Sequence, residues 1–304
     1  MKILITGATG FVGKNLTQKL LEKGFEVNIL TRDANRALTC FNDKKVKAFV
    51  WKNTLELPPK EAFDGINGVI NLMGENIAAK RWSDDQKIKL IQSRVDATKN
   101  LVSQIDNCLG KELDFFISSS AIGYYPSNTS STLNEDSNKG DGFLSQLCHD
   151  WENASAGLQK TKRRIIIRTG VVLESFDGAL KKMLPPFKIG AGGPIGNGQQ
   201  IMSWIHLNDL VKIFIKAIED QNMNGTYNGV SPYPVSNLEF TKALGKALHR
   251  PAFIPVPPLA LKLAFGEMSS VILDSQTVVS KKLDEIGFKF DYPKIDQALN
   301  HIFQ

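Results

Sequence analysis

The sequence predicts an α/β protein built on a doubly wound parallel sheet, and three observations support this fold class. A short apolar strand, residues 2–6, runs directly into a glycine-rich turn at Gly7. Strand-like apolar segments then alternate with amphipathic helical segments as far as Arg168. Beyond Gly178 the pattern changes to glycine-dense and proline-rich stretches, which predict a smaller second lobe. Alternating strands and helices are typical of a parallel sheet covered on both faces.

The predicted strands follow one another in a regular order. Gly24 ends the first helix, so the second strand begins soon after it. With the strand at residues 2–6, the predicted set of six strands covers residues 26–30, 47–51, 68–72, 113–118 and 164–168.

Two longer helices are predicted between the later strands. Ser83, with Gln86 three positions later, has the pattern of a capping box, so a helix is expected to begin there and run through Val102. A second helix is expected over residues 141–159, because its apolar residues recur on one face. These residues are Phe143, Leu144, Leu147, Cys148 and Trp151.

The glycine turn carries the clearest chemical signal in the chain. Gly7 permits a sharp turn at positive φ, Gly10 lets the backbone approach a pyrophosphate, and Gly13 lets the following helix pack on the strand. The free N–H groups at the start of that helix would face phosphates. A structural turn without a ligand is the weaker alternative, since both the strand before it and the helix after it are in place. The predicted contacts here are Gly7, Thr9, Gly10, Phe11, Val12 and Gly13.

Composition limits the classes of partner. The 304 residues carry a net charge of +6, but no run reaches five like charges, which argues against nucleic acid and allows an anionic ligand. Cys40, Cys108 and Cys148 have no metal-binding spacing, so no metal is expected, and a reduced, cytoplasmic location fits best. No signal peptide precedes the first strand and no apolar run is long enough to cross a bilayer, so no membrane partner is expected.

The end of the second strand predicts the choice of cofactor. Thr31 and Arg32 stand where such folds meet the adenosine ribose. An acidic residue there would favour NAD, whereas the planar guanidinium of Arg32 suits a 2′-phosphate and therefore NADP(H). The alternative is a solvated arginine in a basic loop with Arg36.

Two further strand ends are expected to line the site. The backbone of Leu72, Met73 and Gly74 should contact the cofactor, although Leu72 and Met73 also suit a plain core. Ser120 ends the fifth strand shortly before Tyr124, and these hydroxyls are candidates to orient a substrate oxygen and to transfer a proton. Serine-rich strand ends also form ordinary turns.

A glycine-dense loop is expected to close over the substrate rather than serve only as a flexible connection. It spans residues 190–198 and is followed by Trp204 and His206. His206 is the second candidate proton donor beside Tyr124, because its pKa lies nearer to neutral pH.

Taken together, these motifs resemble the extended short-chain dehydrogenase/reductase superfamily. Their order is the three glycines, residues 71–74, Ser118–Ser120 before Tyr124, and residues 168–173. Segments 74–77, 81–82, 150–152, 192–196 and 204–206 more narrowly resemble the branch known as "epimerase family protein", which is similar to nucleotide-sugar epimerases and carries a C-terminal module of unknown function at about residues 251–298. The resemblance implies a Rossmann-like sheet and a small polar substrate, one option being a nucleotide-sugar-like compound.

The chain departs from the superfamily at two helices. Superfamily members carry Tyr-x-x-x-Lys on the helix after the fifth strand; placing Glu152 at their glutamate puts Leu144 at the tyrosine and Cys148 at the lysine. On the preceding helix, counting back from Thr98 puts Arg94 where an asparagine is usual. Arg94 is a candidate for a pyrophosphate contact, with a plain surface arginine as the alternative. Lys89 on that helix, and Val172 in the segment 168–173, complete the predicted cofactor contacts.

Two functions remain open from the sequence. One is an NADP(H)-dependent oxidoreductase or epimerase-like enzyme acting on a small polar substrate near Ser120, Tyr124, Trp204 and His206. The alternative is a non-catalytic NADP(H)-binding redox sensor or partner-binding protein. The missing Tyr-x-x-x-Lys pair favours this alternative, whereas the glycine-dense loop and the segment 204–206 favour the enzyme, which is the main hypothesis. The predicted organisation is an NADP-binding domain over residues 1–175 with 207–231 returning to it, and a substrate lobe over 176–206 and 232–304; a homodimer is one option for the assembly.

Overall fold

The computed structural model describes residues 1–304 and contains thirteen strands. They are β1 Lys2–Thr6, β2 Glu26–Thr31, β3 Val46–Val50, β4 Gly68–Asn71, β5 Phe115–Ala121, β6 Thr132–Leu133, β7 Arg164–Thr169, β8 Val171–Leu173, β9 Ile201–Met202, β10 Trp204–His206, β11 Gly225–Gly229, β12 Val235–Ser236 and β13 Thr277–Val278.

Twelve α-helices complete the regular structure. They are α1 Phe11–Glu22, α2 Ala34–Phe41, α3 Asp84–Ile91, α4 Ala97–Cys108, α5 Gly142–Asn153, α6 Gly178–Lys188, α7 Leu207–Glu219, α8 Asn237–Ala247, α9 Pro258–Phe265, α10 Ser270–Leu273, α11 Lys281–Glu285 and α12 Ile295–Phe303. No helix combines the length and the hydropathy needed to cross a lipid bilayer.

The central sheet has seven strands in the order β11-β7-β5-β4-β1-β2-β3, and every neighbouring pair is parallel. The chain moves outward from β1 through β2 to β3, then returns to β4 and builds the other half. The crevice between β1 and β4 is therefore the switch point at which such sheets bind ligands. The predicted α/β class with a doubly wound, Rossmann-like parallel sheet is confirmed.

Side chains of the strands alternate between two apolar layers. In β1, Ile3 and Ile5 join a cluster that includes residues of α1 and α7, whereas Leu4 joins a cluster that includes residues of α4. All three side chains are fully buried. The sheet is thus covered by helices on both faces, as its continuous apolar strands require.

The helix predicted from Ser83 is interrupted. Ser83 caps α3 by accepting a hydrogen bond from the Gln86 N–H, but the reciprocal bond of a capping box is missing, because the Ser83 N–H donates to the Arg81 carbonyl. A π-helical turn at Gln92–Asp96 then separates α3 from α4. The second predicted helix is shorter than expected, because α5 ends at Asn153. The six predicted strands did not include β11. Its sequence, Gly-Thr-Tyr-Asn-Gly, has glycine at both ends and lacks the apolar run by which the other strands were predicted.

A third apolar cluster lies beyond the sheet and contains Trp204, which is fully buried. Its indole Nε1 donates to the Tyr233 carbonyl at 3.0 Å, and its neighbours in the cluster include Phe240 of α8 and Leu299 of α12. Trp204 is therefore part of a packed core. The expectation that it closes over a substrate is corrected by this burial.

His206 is also removed from any substrate. It is fully buried and forms the N-cap of α7, where its Nδ1 accepts a hydrogen bond from the Asn208 N–H at 3.0 Å. Its Nε2 lies 3.1 Å from Nδ1 of His301, and the ring stacks on Tyr292 with centroids 4.2 Å apart. Both nitrogens are engaged and no ring surface is exposed, which corrects the expectation that His206 donates a proton to substrate.

The burial of His206 predicts a pH-dependent stability. Burial, with the nearby His301 ring, lowers the pKa of His206 from 6.5 to about 4, although Asp291 acts in the opposite direction. Between these values the unfolded chain binds a proton that the folded chain does not, so the free energy of unfolding falls as pH is lowered from 6.5 toward 4. The loss from this residue should reach about 2 kcal/mol at pH 5.

This prediction is tested by comparing the native chain with the His206→Asn variant, because asparagine keeps an N-cap acceptor but does not titrate. Urea unfolding at a series of pH values from 8 to 5 should show a flatter pH dependence for the variant than for the native chain. Equal slopes would show that another group governs stability in this range.

Candidate functional site

The glycine turn has the geometry of an anion cradle. Gly7 adopts φ +69°, and the Gly10 N–H donates to the Gly7 carbonyl at 3.0 Å. A Cβ added at Gly13 would overlap that same carbonyl oxygen, so only glycine lets α1 approach the turn. Gly10 is the N-cap of α1 and has no side chain to cap the helix, which leaves its first N–H groups free for a phosphate.

A buried polar network joins the strand ends beneath this turn. The Thr6 hydroxyl donates to Asn71 Oδ1 at 2.7 Å. The Asn71 amide in turn donates to the hydroxyls of Thr98 at 2.9 Å and Ser118 at 3.3 Å. These four side chains are almost completely buried, and they fix the carboxyl ends of β1, β4 and β5 against α4. The sequence suggested only a backbone contact at this strand end.

The end of β2 leaves a cation free. Thr31 is half-buried and its hydroxyl accepts from the Asp33 N–H, while Asp33 caps α2 by accepting from the Arg36 N–H. Arg32 is exposed and its guanidinium makes no hydrogen bond or ion pair within the protein. It is thus available to an anionic group at this edge of the sheet.

The end of β4 runs close to the glycine turn. A Cβ added at Gly7 would come within 2.8 Å of the Leu72 carbonyl oxygen, so the two backbones are in near contact. Phe11 packs edge-on against Phe176, with ring centroids 5.9 Å apart. Of the remaining predicted contacts, Thr9, Val12, Met73 and Val172 are half-buried, whereas Gly74 and Lys89 are exposed.

Arg94 lies under the loop that follows β4. The π-helical turn places its guanidinium 2.8 Å from the Glu75 carbonyl oxygen, to which it donates, and 5.2 Å from the Trp151 ring centroid. Ser93 on the same turn accepts from the Glu75 N–H at 3.0 Å. Burial lowers the pKa of Arg94 below its ordinary value. Arg94 is therefore tied to the protein backbone, and its contact with a cofactor stays a prediction.

Ser120 is held by a buried ion pair. Its hydroxyl donates to Glu152 Oε1 at 2.6 Å. Arg168 forms a two-pronged pair with the same carboxylate, Nε to Oε1 and NH2 to Oε2, each at 2.7 Å. The side chains of Arg168 and Glu152 are only 6% and 11% exposed, so the pair is shielded from water. Ser120 thus has a fixed orientation at the end of β5.

Two tyrosines pack on the same arginine. The guanidinium carbon of Arg168 lies 3.4 Å from the ring centroid of Tyr124, and its NH1 donates to the Tyr125 hydroxyl at 2.9 Å. Tyr125 is buried and donates onward to Asn228 Oδ1 at 2.8 Å. Tyr124 is half-buried, and its hydroxyl makes no hydrogen bond within the protein. The structure therefore brings Ser120 and Tyr124 together around Arg168.

Leu144 and Cys148 occupy the expected place on α5, facing the turn at Ile122–Tyr124. A Cβ added at Gly123 would lie 3.5 Å from the Leu144 Cβ and 3.8 Å from the Cys148 Sγ. Burial, reinforced by Glu152, raises the pKa of Cys148 to about 11, so the thiol is neutral at pH 7. Neither side chain supplies the charge of a lysine or the proton of a tyrosine.

Several site residues were missed as functional side chains by sequence reasoning. From the sequence, Glu152 was used only to align helix α5 with the superfamily's Tyr-x-x-x-Lys helix, and Arg168 was used only as the first residue of the motif 168–173. Tyr125 and Asn228 were not assigned any role. The sequence did contain a signal for this ion pair. Arg168 lies near the carboxyl end of an apolar strand and Glu152 lies on the preceding helix, and a buried charge needs a partner of opposite charge.

An open cavity of about 740 Å³ lies beside the glycine-dense loop. Its lining is mostly polar and includes Asn128, Asn197, Gln200 and Ser275, but neither Ser120 nor Tyr124. The loop therefore borders a polar space, and its closure over a substrate stays a prediction.

Comparison with known proteins identifies the family to which this chain is similar. Residues 3–228 match the family described as "NAD dependent epimerase/dehydratase family", and residues 256–302 match a domain of unknown function, DUF1731. The chloroplastic epimerase family protein SDR39U1 homolog of Arabidopsis thaliana is 36% identical, covering 100% of this chain and 87% of the relative. The predicted C-terminal module is thus confirmed as a recognised domain.

Solved structures agree with the sequence relatives. Human epimerase family protein SDR39U1 (isoform 2), solved with NADPH, superposes with a TM-score of 0.88 at 32% identity over 99% of both chains. MoeE5, solved with UDP-glucuronic acid and NAD, gives a TM-score of 0.76 at 17% identity over 98% of this chain and 96% of that chain, a likeness of fold alone. The chain belongs to the NAD dependent epimerase/dehydratase family.

Proposed function

We propose that this protein binds NADP(H) in the crevice between β1 and β4 and acts as an oxidoreductase or epimerase-like enzyme on a small polar substrate. The phosphates would lie on the glycine turn and the start of α1, and Arg32 would bind the 2′-phosphate. The free N–H groups of α1 and the unpaired Arg32 guanidinium fit such a cofactor. The NADPH in the human relative supports the same assignment. When bound, NADPH supplies a hydride.

The arrangement of Ser120 and Tyr124 carries the proposal of catalysis. The Ser120 proton is committed to Glu152, so this hydroxyl accepts a hydrogen bond from a substrate hydroxyl rather than donating one. The Tyr124 hydroxyl has no protein partner and is free to donate to a substrate oxygen. One acceptor and one donor thus flank the same guanidinium, and together they can orient a substrate alcohol, whereas a substrate carbonyl oxygen would accept from Tyr124 alone.

The competing function is a non-catalytic NADP(H)-binding protein. The apolar Leu144 and the neutral Cys148 support it, because both catalytic side chains of the superfamily are replaced. Against it stands the buried Glu152–Arg168 pair, which costs desolvation free energy and holds a hydroxyl at the sheet edge where substrates bind. We therefore favour the enzyme.

Binding of the phosphates is tested by Gly10→Val. The added side chain would occupy the space above the turn, so we expect loss of NADPH binding in calorimetry while the far-ultraviolet circular dichroism is unchanged. Gly157→Val is the matched control, because Gly157 has no neighbour within 4 Å of an added Cβ. Normal NADPH affinity in Gly10→Val would place the phosphates elsewhere.

Cofactor choice is tested by Arg32→Ala. A charge-assisted contact contributes about 1.5–3 kcal/mol, so NADPH affinity should fall by roughly tenfold to a hundredfold while NADH affinity changes little. Lys44→Ala removes another exposed cation and should leave both affinities unchanged. An Arg32→Ala variant that keeps its preference for NADPH would contradict this assignment.

Proton transfer is tested by Tyr124→Phe in an NADPH-consumption screen of small carbonyl compounds and nucleotide sugars. With a substrate identified, turnover should fall by about a hundredfold or more, since a general acid contributes roughly 10²–10⁴. Tyr233→Phe, at an exposed tyrosine, and His206→Asn should retain turnover. If NADPH binds but no compound in the screen causes its consumption, the non-catalytic function is favoured over the enzymatic one.

A further inference from the structure

The positive charge of the chain is concentrated in two segments. No Asp or Glu occurs in residues 178–208, which contain three lysines, nor in residues 240–266, which contain four Lys and Arg. The whole chain carries a net charge of +6, so the other segments together are close to neutral. The basic residues are Lys181, Lys182, Lys188, Lys242, Lys246, Arg250 and Lys262, and all seven are exposed.

The two acid-free segments pack against each other. Isolated β-bridges join Gly192 to Ala252 and Ile195 to Val256. The Arg250 Nε donates to the Lys188 carbonyl at 3.1 Å. Three of the seven basic residues, Lys188, Arg250 and Lys262, therefore belong to one connected part of the surface, which we call the basic edge (residues 186–196 and 250–263).

The most exposed large apolar side chains of the protein lie on the same basic edge. Ile189 is 80% exposed, Phe253 73%, Leu263 70% and Leu259 67%, and no other large apolar residue exceeds 55%. Helix α9 buries none of its residues, although its sequence, PLALKLAF, is mostly apolar. Leu259 and Leu263 are one turn apart, on the same side of α9. Such a concentration of exposed apolar surface marks an interaction site.

We propose that the basic edge is a peripheral docking surface for a lipid bilayer rich in anionic headgroups. Exposed aliphatic and aromatic side chains with Lys188, Arg250 and Lys262, in two segments that contain no Asp or Glu, match the two requirements of interfacial binding: insertion at the acyl boundary and attraction to negative headgroups. A second copy of this chain would bring like charges together at the same surface, which the charge distribution disfavours. The chain docks on the membrane without spanning it.

Co-sedimentation with vesicles tests the proposal. The native chain should sediment with vesicles of phosphatidylcholine containing a third of phosphatidylglycerol, and not with phosphatidylcholine alone. Since surface charges are screened by salt, binding should weaken as ionic strength rises. Lys188→Glu/Lys262→Glu and, separately, Phe253→Ser/Leu259→Ser/Leu263→Ser should each lower the partition coefficient at least tenfold. These side chains are exposed, so the variants are expected to fold.

Matched controls are Lys44→Glu/Lys111→Glu and Leu55→Ser/Leu57→Ser, which make the same chemical changes at exposed positions outside the basic edge. They should sediment like the native chain. Equal sedimentation with neutral and anionic vesicles, or equal losses in the controls, would overturn the proposal. So would a dimer in size-exclusion chromatography that the serine variant dissociates, because the occupant would then be a second copy. Loss of NADPH binding in Gly10→Val would leave vesicle binding unchanged, so the two proposals fail separately.

Discussion

The Glu152–Arg168 ion pair is the interaction on which the candidate site depends. It joins α5 to β7, fixes Ser120 on β5, and positions Tyr125, which bonds to Asn228 on β11. A carboxylate and a guanidinium removed from water need each other, because loss of one partner strands a buried charge at a cost of about 3–5 kcal/mol. The pair thus connects side chains of α5, β5 and β7 directly, and of β11 through Tyr125, within a sheet whose strands are already paired through their backbones.

The same network reaches the C-terminal part of the chain. Glu135 accepts hydrogen bonds from the Asn228 N–H at 2.9 Å, from the Ser280 hydroxyl at 2.6 Å and from the Lys281 N–H at 3.0 Å. Strand β13 pairs with β6 directly beside this carboxylate. The orientation of hydroxyls at the sheet edge therefore depends on residues far along the chain, and the domain of unknown function is part of the site's support.

Local chemistry explains what could be read from the sequence. The glycine turn, the strand alternation and the Ser83 cap depend on neighbouring residues, so they were predictable. The π-helical turn was not, because it follows from contacts of Ser93 and Arg94 with Glu75, which lies eighteen residues or more earlier. The roles predicted for Trp204 and His206 were wrong for a related reason, namely that their partners are distant in the sequence. Their polar atoms suggested a site, but partners at Tyr233 and His301 satisfy them in a packed interior.

Strand β11 lies far after its partner β7 in the sequence, and this separation affects folding during synthesis. Strand β7 is complete at Thr169, but the strand that covers its open edge ends only at Gly229, after the chain has passed through β8, α6, β9, β10 and α7. In a nascent chain that has emerged only to β7, this strand can pair with β5 but its other edge is open, and its Arg168 lacks the completed network around Asn228. Exposed edges of this kind invite pairing with other chains. During the interval of synthesis between these two strands, the open edge of β7 exposes the polypeptide to misassembly.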